Sequence, residues 1–241
     1  MKSNFAGLTD TGLVRSVNQD AYYIDPDGRF FIVADGMGGY AGGQEASRLA
    51  THVIQSYLTQ YWEAKFPSPV LLETAFMKAN GAILKDQLEH PERADMGTTA
   101  VVVVFRGNQS YCANIGDSRL YRWRGSELTQ ITEDQTWVAQ AVKRKALTPE
   151  QARSHPWRHV LSQCLGREDL RQIDIVPVEV ESGDRLLLCS DGLTEELGDE
   201  EIGQSLAQIE SCDGVASRLV EAAKEQGGRD NITVVVVELL D

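Results

Sequence analysis

Five aspartates in this chain sit where a carboxylate could do chemistry. Asp35 closes the apolar run Phe30-Phe31-Ile32-Val33-Ala34 and opens Gly36-Met37-Gly38-Gly39, while Asp191 closes Leu186-Leu187-Leu188-Cys189-Ser190 and precedes Gly192. Each run reads as a buried strand. A carboxylate at a strand end is costly to bury unless a cation pairs with it. The glycines allow a sharp turn and the close approach of a main-chain carbonyl to a bound group. Asp20 follows Asn18-Gln19, and Asp230 opens the last strand. Asp117 lies in Ile115-Gly116-Asp117-Ser118-Arg119, where a glycine interrupts a strand pattern and implies a bulge. Taken singly, each aspartate reads as a turn former; five in matched settings read as a set. Oxygen ligands with no His or Cys nearby in sequence are what Mg²⁺ or Mn²⁺ prefer. Two such ions could hold a bridging hydroxide and clamp a phosphoryl group.

The elements that must carry these acids follow from the pattern. Residues 5–18 read as an edge strand, and 21–24 and 29–34 as a hairpin about Asp25-Pro26-Asp27-Gly28. Residues 45–62 show helical period with one apolar face. Ser68-Pro69 reads as an N-cap and N1 proline for a second helix to Leu88. Strands are expected at 98–105, 111–123 and 127–131, with short turns that imply antiparallel pairing. Residues 133–172 form a long excursion, with a helical piece at 137–145 and a capping box at Thr148-Pro149-Glu150-Gln151. A strand at 185–190 follows, then a helix opened by Asp199-Glu200-Glu201 and another capped by Asp213 and stopped by Gly227-Gly228. This order predicts an α+β fold: a central antiparallel β-sandwich flanked by pairs of antiparallel helices, as one domain over residues 1–241.

Composition narrows the partners. A formal net charge of −13 argues against nucleic acid, whose phosphates need a basic surface, and against phosphodiester cleavage in a basic groove. No run is long enough to span a bilayer and no signal-like segment opens the chain, so a soluble cytoplasmic protein, expected as a monomer, is predicted. The chain ends soon after its last strand, leaving little room for an appended sensor or membrane domain. Cys112, Cys164, Cys189 and Cys212 have no zinc spacing and no disulfide pattern; Cys112 and Cys189 fall in strand patterns as small core residues.

Residues 15–20, 35–39, 96–100, 116–119, 190–193 and 230–233, in that order, resemble the metal-dependent protein serine/threonine phosphatases of the PP2C type. The resemblance implies hydrolysis of phosphoserine and phosphothreonine on proteins by a hydroxide held between two Mg²⁺ or Mn²⁺ ions. It implies that Asp35 bridges the two metals and that the Gly36 carbonyl binds one of them. Asp191 and Asp230 would hold the first metal, Asp20 the second, and Asp117, sharing Asp191, a third and weaker one. Arg15 would bind the phosphate, a task suited to a guanidinium fork. Catalysis would then rest on Arg15, Asp35 and Asp191. The excursion at 136–166 sits where this family has its flap. Residues 136–140 and 155–167 are similar to the cyanobacterial branch that acts on the phosphorylated PII nitrogen-signalling protein, which implies PII as the substrate and His159 as a substrate-binding residue.

The chain departs from the family at the proton donor. Met37, Tyr40, Gln44 and Gln135 stand where relatives carry histidine or, at 44, glutamate. His155 and His159 are read as lid residues packing on Trp157, neither being the essential acid. Two rivals remain open. One is a non-catalytic phosphoprotein-binding module of the same fold. The other is a thiolate phosphatase at Cys212-x₅-Arg218, disfavoured by Asp213 beside the thiol.

Overall fold

In the run from Phe30 to Val33, successive side chains enter different cores. Phe30 and Ile32 pack under two helices, whereas Phe31 and Val33 pack between two sheets. A strand buried on both faces has no polar side to show, which is why the run is continuously apolar. The computed structural model describes residues 2–170 and 173–240. Residues 1, 171, 172 and 241, and the side chains of Tyr40 and Ala41, lie outside that description, so the end of the 133–172 excursion does too.

The strands are β1 (Lys2–Asp10), β2 (Asp20–Ile24), β3 (Phe30–Met37), β4 (Gly97–Thr98), β5 (Ala100–Arg106), β6 (Gln109–Ile115), β7 (Arg119–Arg124), β8 (Glu127–Gln130), β9 (Asp174–Pro177), β10 (Arg185–Cys189) and β11 (Ile232–Leu240). The helices are α1 (Gly39–Tyr61), α2 (Ser68–Glu89), α3 (Trp137–Lys143), α4 (Pro149–Arg153), α5 (Asp191–Thr194), α6 (Asp199–Gln208) and α7 (Cys212–Gln226). One sheet runs β1-β11-β10-β7-β8 and the other β2-β3-β5-β6-β9, with β4 paired to β3. The pairings are antiparallel. The cores α1–α2 on the second sheet, sheet on sheet, and α5–α7 on the first sheet give four layers. The predicted α+β sandwich between helix pairs is therefore the observed one. Cys112 and Cys189 are small core residues, and the four thiols are free and buried. Among the described residues, no helix is long and apolar enough to cross a membrane.

Several local expectations are corrected. The pattern at 111–123 is two strands, β6 and β7, in different sheets; Gly116 (φ 98°) turns the chain between them, so Asp117 sits in a crossover and not in a bulge. A Cβ at Gly116 would meet Thr99 Cγ2 at 2.5 Å, so only glycine fits. The strand expected at 98–105 is broken into β4 and β5. Strand β1 is an edge strand but ends at Asp10, whose carboxylate accepts from Gly12 N (2.8 Å) and starts a loop. Helix α1 begins at Gly39, six residues before the periodic pattern. Helix α2 includes Ser68, which makes no capping bond. Helix α7 is capped by Ser211, whose hydroxyl accepts from Gly214 N, and not by Asp213. The capping box at Thr148 forms as expected, and Gly227 ends α7.

Candidate active site

The pairing registers bring the acids to one end of the sandwich. Asp20 and Asp35 are direct partners across the β2–β3 ladder, so their side chains stand side by side. Cys189 at the end of β10 pairs with Val234 near the start of β11 and with Arg119 at the start of β7. Asp191, just past β10, therefore lies beside Asp230, just before β11, and near Asp117, just before β7. A cavity of about 470 Å³ opens there, lined by Arg15, Asp35, Gly36, Met37, Asp117, His159, Asp191 and Asp230, among others. Asp20 lies beneath it, its Oδ2 accepting from Ser190 Oγ at 2.7 Å.

Backbone contacts fix this floor. Asp35 N donates to Thr99 Oγ1 (3.0 Å), Thr98 Oγ1 donates to the Asp35 carbonyl (2.8 Å), and Gly36 N donates to the Gln19 carbonyl (3.2 Å). A Cβ on Gly36 would lie 2.0 Å from the Gly43 carbonyl oxygen, so α1 packs against this turn only because both residues are glycine. Arg15 sits in the loop after β1. Asn231 staples that loop, its Nδ2 donating to the carbonyls of Thr11 (2.9 Å) and Val17 (3.0 Å) and its Oδ1 accepting from Gln19 N (2.8 Å). Arg15 Nη2 donates to Asp230 Oδ2 at 2.7 Å.

The acids are electrostatically unfavourable as an isolated group. Burial, with the neighbouring charge of Asp191, pushes Asp20 up to about 7. Burial and then Asp20 raise Asp35 well above the usual carboxylate range; burial and then Asp191 raise Asp117, and burial and then Asp230 raise Asp191. The charge of Asp191 also adds to the rise at Asp35. Among the described residues, Asp20 Oδ1 and Asp191 Oδ1 are buried with no hydrogen-bond partner. Buried oxygens left unpaired in a ring of like charges are costly, and hard divalent cations satisfy both deficits together. The donor set fits Mg²⁺ or Mn²⁺.

The excursion is anchored at its base. Trp137 N donates to the Val160 carbonyl, and Ser162 N to the Gln135 carbonyl, both at 2.7 Å. His155 packs on Trp137 and Trp157, with ring centroids 5.1 and 5.8 Å away, as expected of a lid residue. His159 differs from that expectation: it lines the cavity, and its Nδ1 contacts Glu195 Oε1. Burial and Arg158 hold His159 below its ordinary value, while burial and Asp191 push Glu195 up to about 7. His159, Asp191 and Glu195 can bring one ligand atom each within 4.8 Å of one another. Glu195 lies outside the sequence reading, although its spacing of four from Asp191 places the two on one helical face. Gln135 braces the crossover, with Oε1 accepting from Gly116 N (3.0 Å) and Nε2 donating to Asp174 Oδ2 (2.8 Å). The alternative thiol is not in the cavity. Cys212 is buried in the α7 core, where burial raises its pKa, and Arg218 pairs with Glu225.

The structure is thus an α+β two-sheet sandwich that gathers five aspartates at one end of its strands, and comparison with known proteins places it in a family. The Protein phosphatase 2C pattern matches residues 14–232, and the chain belongs to that family. It is 39% identical over 98% of its length to the serine/threonine protein phosphatase PstP of Mycobacterium tuberculosis, of which it spans 45%. It is 37% identical to the protein phosphatase PhpP of Streptococcus pneumoniae, covering 96% of each chain. It superposes with a TM-score of 0.87, at 36% identity and 99% coverage of both chains, on the crystal structure of the PstP catalytic domain in complex with two manganese ions.

Proposed function

We propose that this chain is a metal-dependent protein phosphatase that hydrolyses phosphoserine and phosphothreonine on protein substrates. The observation that carries the reading is the convergence of Asp35, Asp117, Asp191 and Asp230, from both sheets, on one cavity that also holds Arg15, with Asp20 paired to Asp35 beneath it. In this reading Asp35, the Gly36 carbonyl, Asp191 and Asp230 hold one or both of two Mg²⁺ or Mn²⁺ ions with Asp20, and Asp117 serves a third. Once bound, the ions supply Lewis acidity toward the phosphoryl oxygens and the attacking water.

The protein's own groups do the rest. Arg15 presents a guanidinium to the phosphoryl oxygens and stabilises the charge they carry in the transition state. Its bond to Asp230 shows that it reaches the ring of acids. Thr99 and Gln19 hold the Asp35–Gly36 backbone still. His159 reaches the cavity from the flap and contacts the substrate beside the phosphoryl group, oriented by Glu195.

Phosphorylated PII is the substrate we infer from the flap residues 136–140 and 155–167, acted on in the cytoplasm by a monomer. Phosphate release from a phosphoserine peptide and from phospho-PII, with Mn²⁺, Mg²⁺ or chelator, tests both levels. Release from the peptide but not from phospho-PII would retain the chemistry and discard the substrate.

A further inference from the structure

The flap carries a charge opposite to that of the rest of the molecule. Residues 136–166 hold Lys143, Arg144, Lys145, Arg153 and Arg158 against one acid, Glu150, a net +4 in a chain of −13; the remaining residues therefore carry −17. Surface cations on so acidic a protein would be expected to find carboxylates. Lys143 does, bonding Glu133 Oε2 at 2.7 Å. Among the described residues, Arg144, Lys145, Arg153 and Arg158 form no ion pair with a carboxylate, and all four are exposed.

This basic surface begins at the cavity. Arg158 adjoins His159, which lines the cavity, and Trp157 meets Trp137 at 5.0 Å between ring centroids. Trp137 starts α3, whose seven residues lead to Arg144 and Lys145. At about 1.5 Å per residue the helix carries the charge roughly 10 Å from that contact. An extended peptide advances about 3.3 Å per residue, so residues roughly three to six positions from a phosphoserine in the cavity span the distance to that charge.

We propose that the flap is a docking surface for acidic segments flanking the phosphorylated residue, resting on the phosphatase reading above. The acidic body repels such a segment, and a local positive face beside the cavity offsets that repulsion for substrates whose acids meet it. The flap thereby selects among phosphoproteins by charge near the phosphorylated residue, a choice the small, acid-lined cavity cannot make.

The experiment compares kcat/KM on two phosphoserine peptides that differ only at positions three to six from the phosphoserine, acidic in one and neutral in the other. Both are measured with Mn²⁺, at low and high salt, for the wild type and the triple variant Arg144→Glu, Lys145→Glu, Arg153→Glu. Para-nitrophenyl phosphate, which has no flanks, provides the reference rate for each protein. Wild type should favour the acidic peptide roughly fivefold to tenfold at low salt, and the preference should shrink at high salt. The triple variant should lose or invert that preference relative to its own reference rate. An equal rate on both peptides by wild type, or an unchanged preference in the variant, overturns the docking surface and leaves the phosphatase reading intact. No hydrolysis of either peptide or of the aryl phosphate by wild type overturns the phosphatase reading, and the docking surface with it.

Discussion

Arg15 Nη2 donates to Asp230 Oδ2 at 2.7 Å, joining the loop after β1 to the start of β11 across the cavity. The bond raises the arginine's already high pKa, and Arg15 also feels the charges of Asp191 and Asp35. Its guanidinium therefore stays cationic and close to the place where phosphoryl oxygens would sit. Arg15→Ala should lower kcat/KM on a phosphoserine peptide about a hundredfold. Arg15→Lys should recover only part of it, because an ammonium cannot form the two-pronged contact. Steady-state kinetics on the two variants checks both statements.

Removing divalent metal should expose the repulsion among the acids as a pH-dependent loss of stability. The folded value of Asp20, about 7, lies above the unfolded value of about 4. The metal-free fold thus binds more protons than the unfolded chain across that window, so its stability falls as pH rises from about 4 to about 7. In chelator, the melting temperature should climb by roughly 3 °C or more as pH is lowered from 8 to 6. Mn²⁺ should raise the melting temperature most at the higher pH and flatten the dependence. Thermal unfolding at several pH values, with and without metal, measures this directly.

The two flap histidines should separate. His155 is tied into the Trp137–Trp157 cluster, so His155→Ala should leave peptide turnover within about twofold. His159 lines the cavity, so His159→Ala should raise KM on phosphopeptides about tenfold with a smaller change in kcat. Complete loss on peptides with undiminished turnover of para-nitrophenyl phosphate, whose leaving group needs no proton, would instead make His159 the general acid.

Stability should depend on the sheet–sheet core more than on the thiols. Phe31 is fully buried between the sheets and packs edge-on against Phe5 and Phe105. Phe31→Ala should cost about 3–5 kcal/mol in denaturant unfolding. Cys212→Ser should cost far less and leave metal-dependent activity in place, in contrast to a thiolate enzyme.

The acids and their strands are legible in the sequence because each apolar run is short and ends on aspartate beside glycine, as at Asp35-Gly36 and Asp191-Gly192. Sheet membership is not. Ile115 and Arg119 belong to one apolar pattern, yet the positive φ of Gly116 sends them to different sheets. The first turns of α1 are hidden because Gly39, Gly42 and Gly43 are poor helix formers; Gly43 is required by its close packing on Gly36, and Gly42 packs against Met96. Strand β9 escapes notice because Asp174-Ile175-Val176-Pro177 offers two apolar residues and a proline, and pairs only at the sheet edge. The contact of His159 with Glu195 joins residues far apart in sequence through the flap, and no local pattern predicts it.

The proposed function rests on the gathered aspartates holding the ions that support phosphoester hydrolysis. Its most direct measurement is phosphate release from a phosphoserine peptide by wild type and Asp191→Asn, each with Mn²⁺ and with chelator. Wild type should release phosphate with Mn²⁺ and not in chelator, and the variant should lose about a thousandfold or more of that activity together with its Mn²⁺-dependent gain in melting temperature. Undiminished release in chelator, or full activity in Asp191→Asn, would contradict the proposed function.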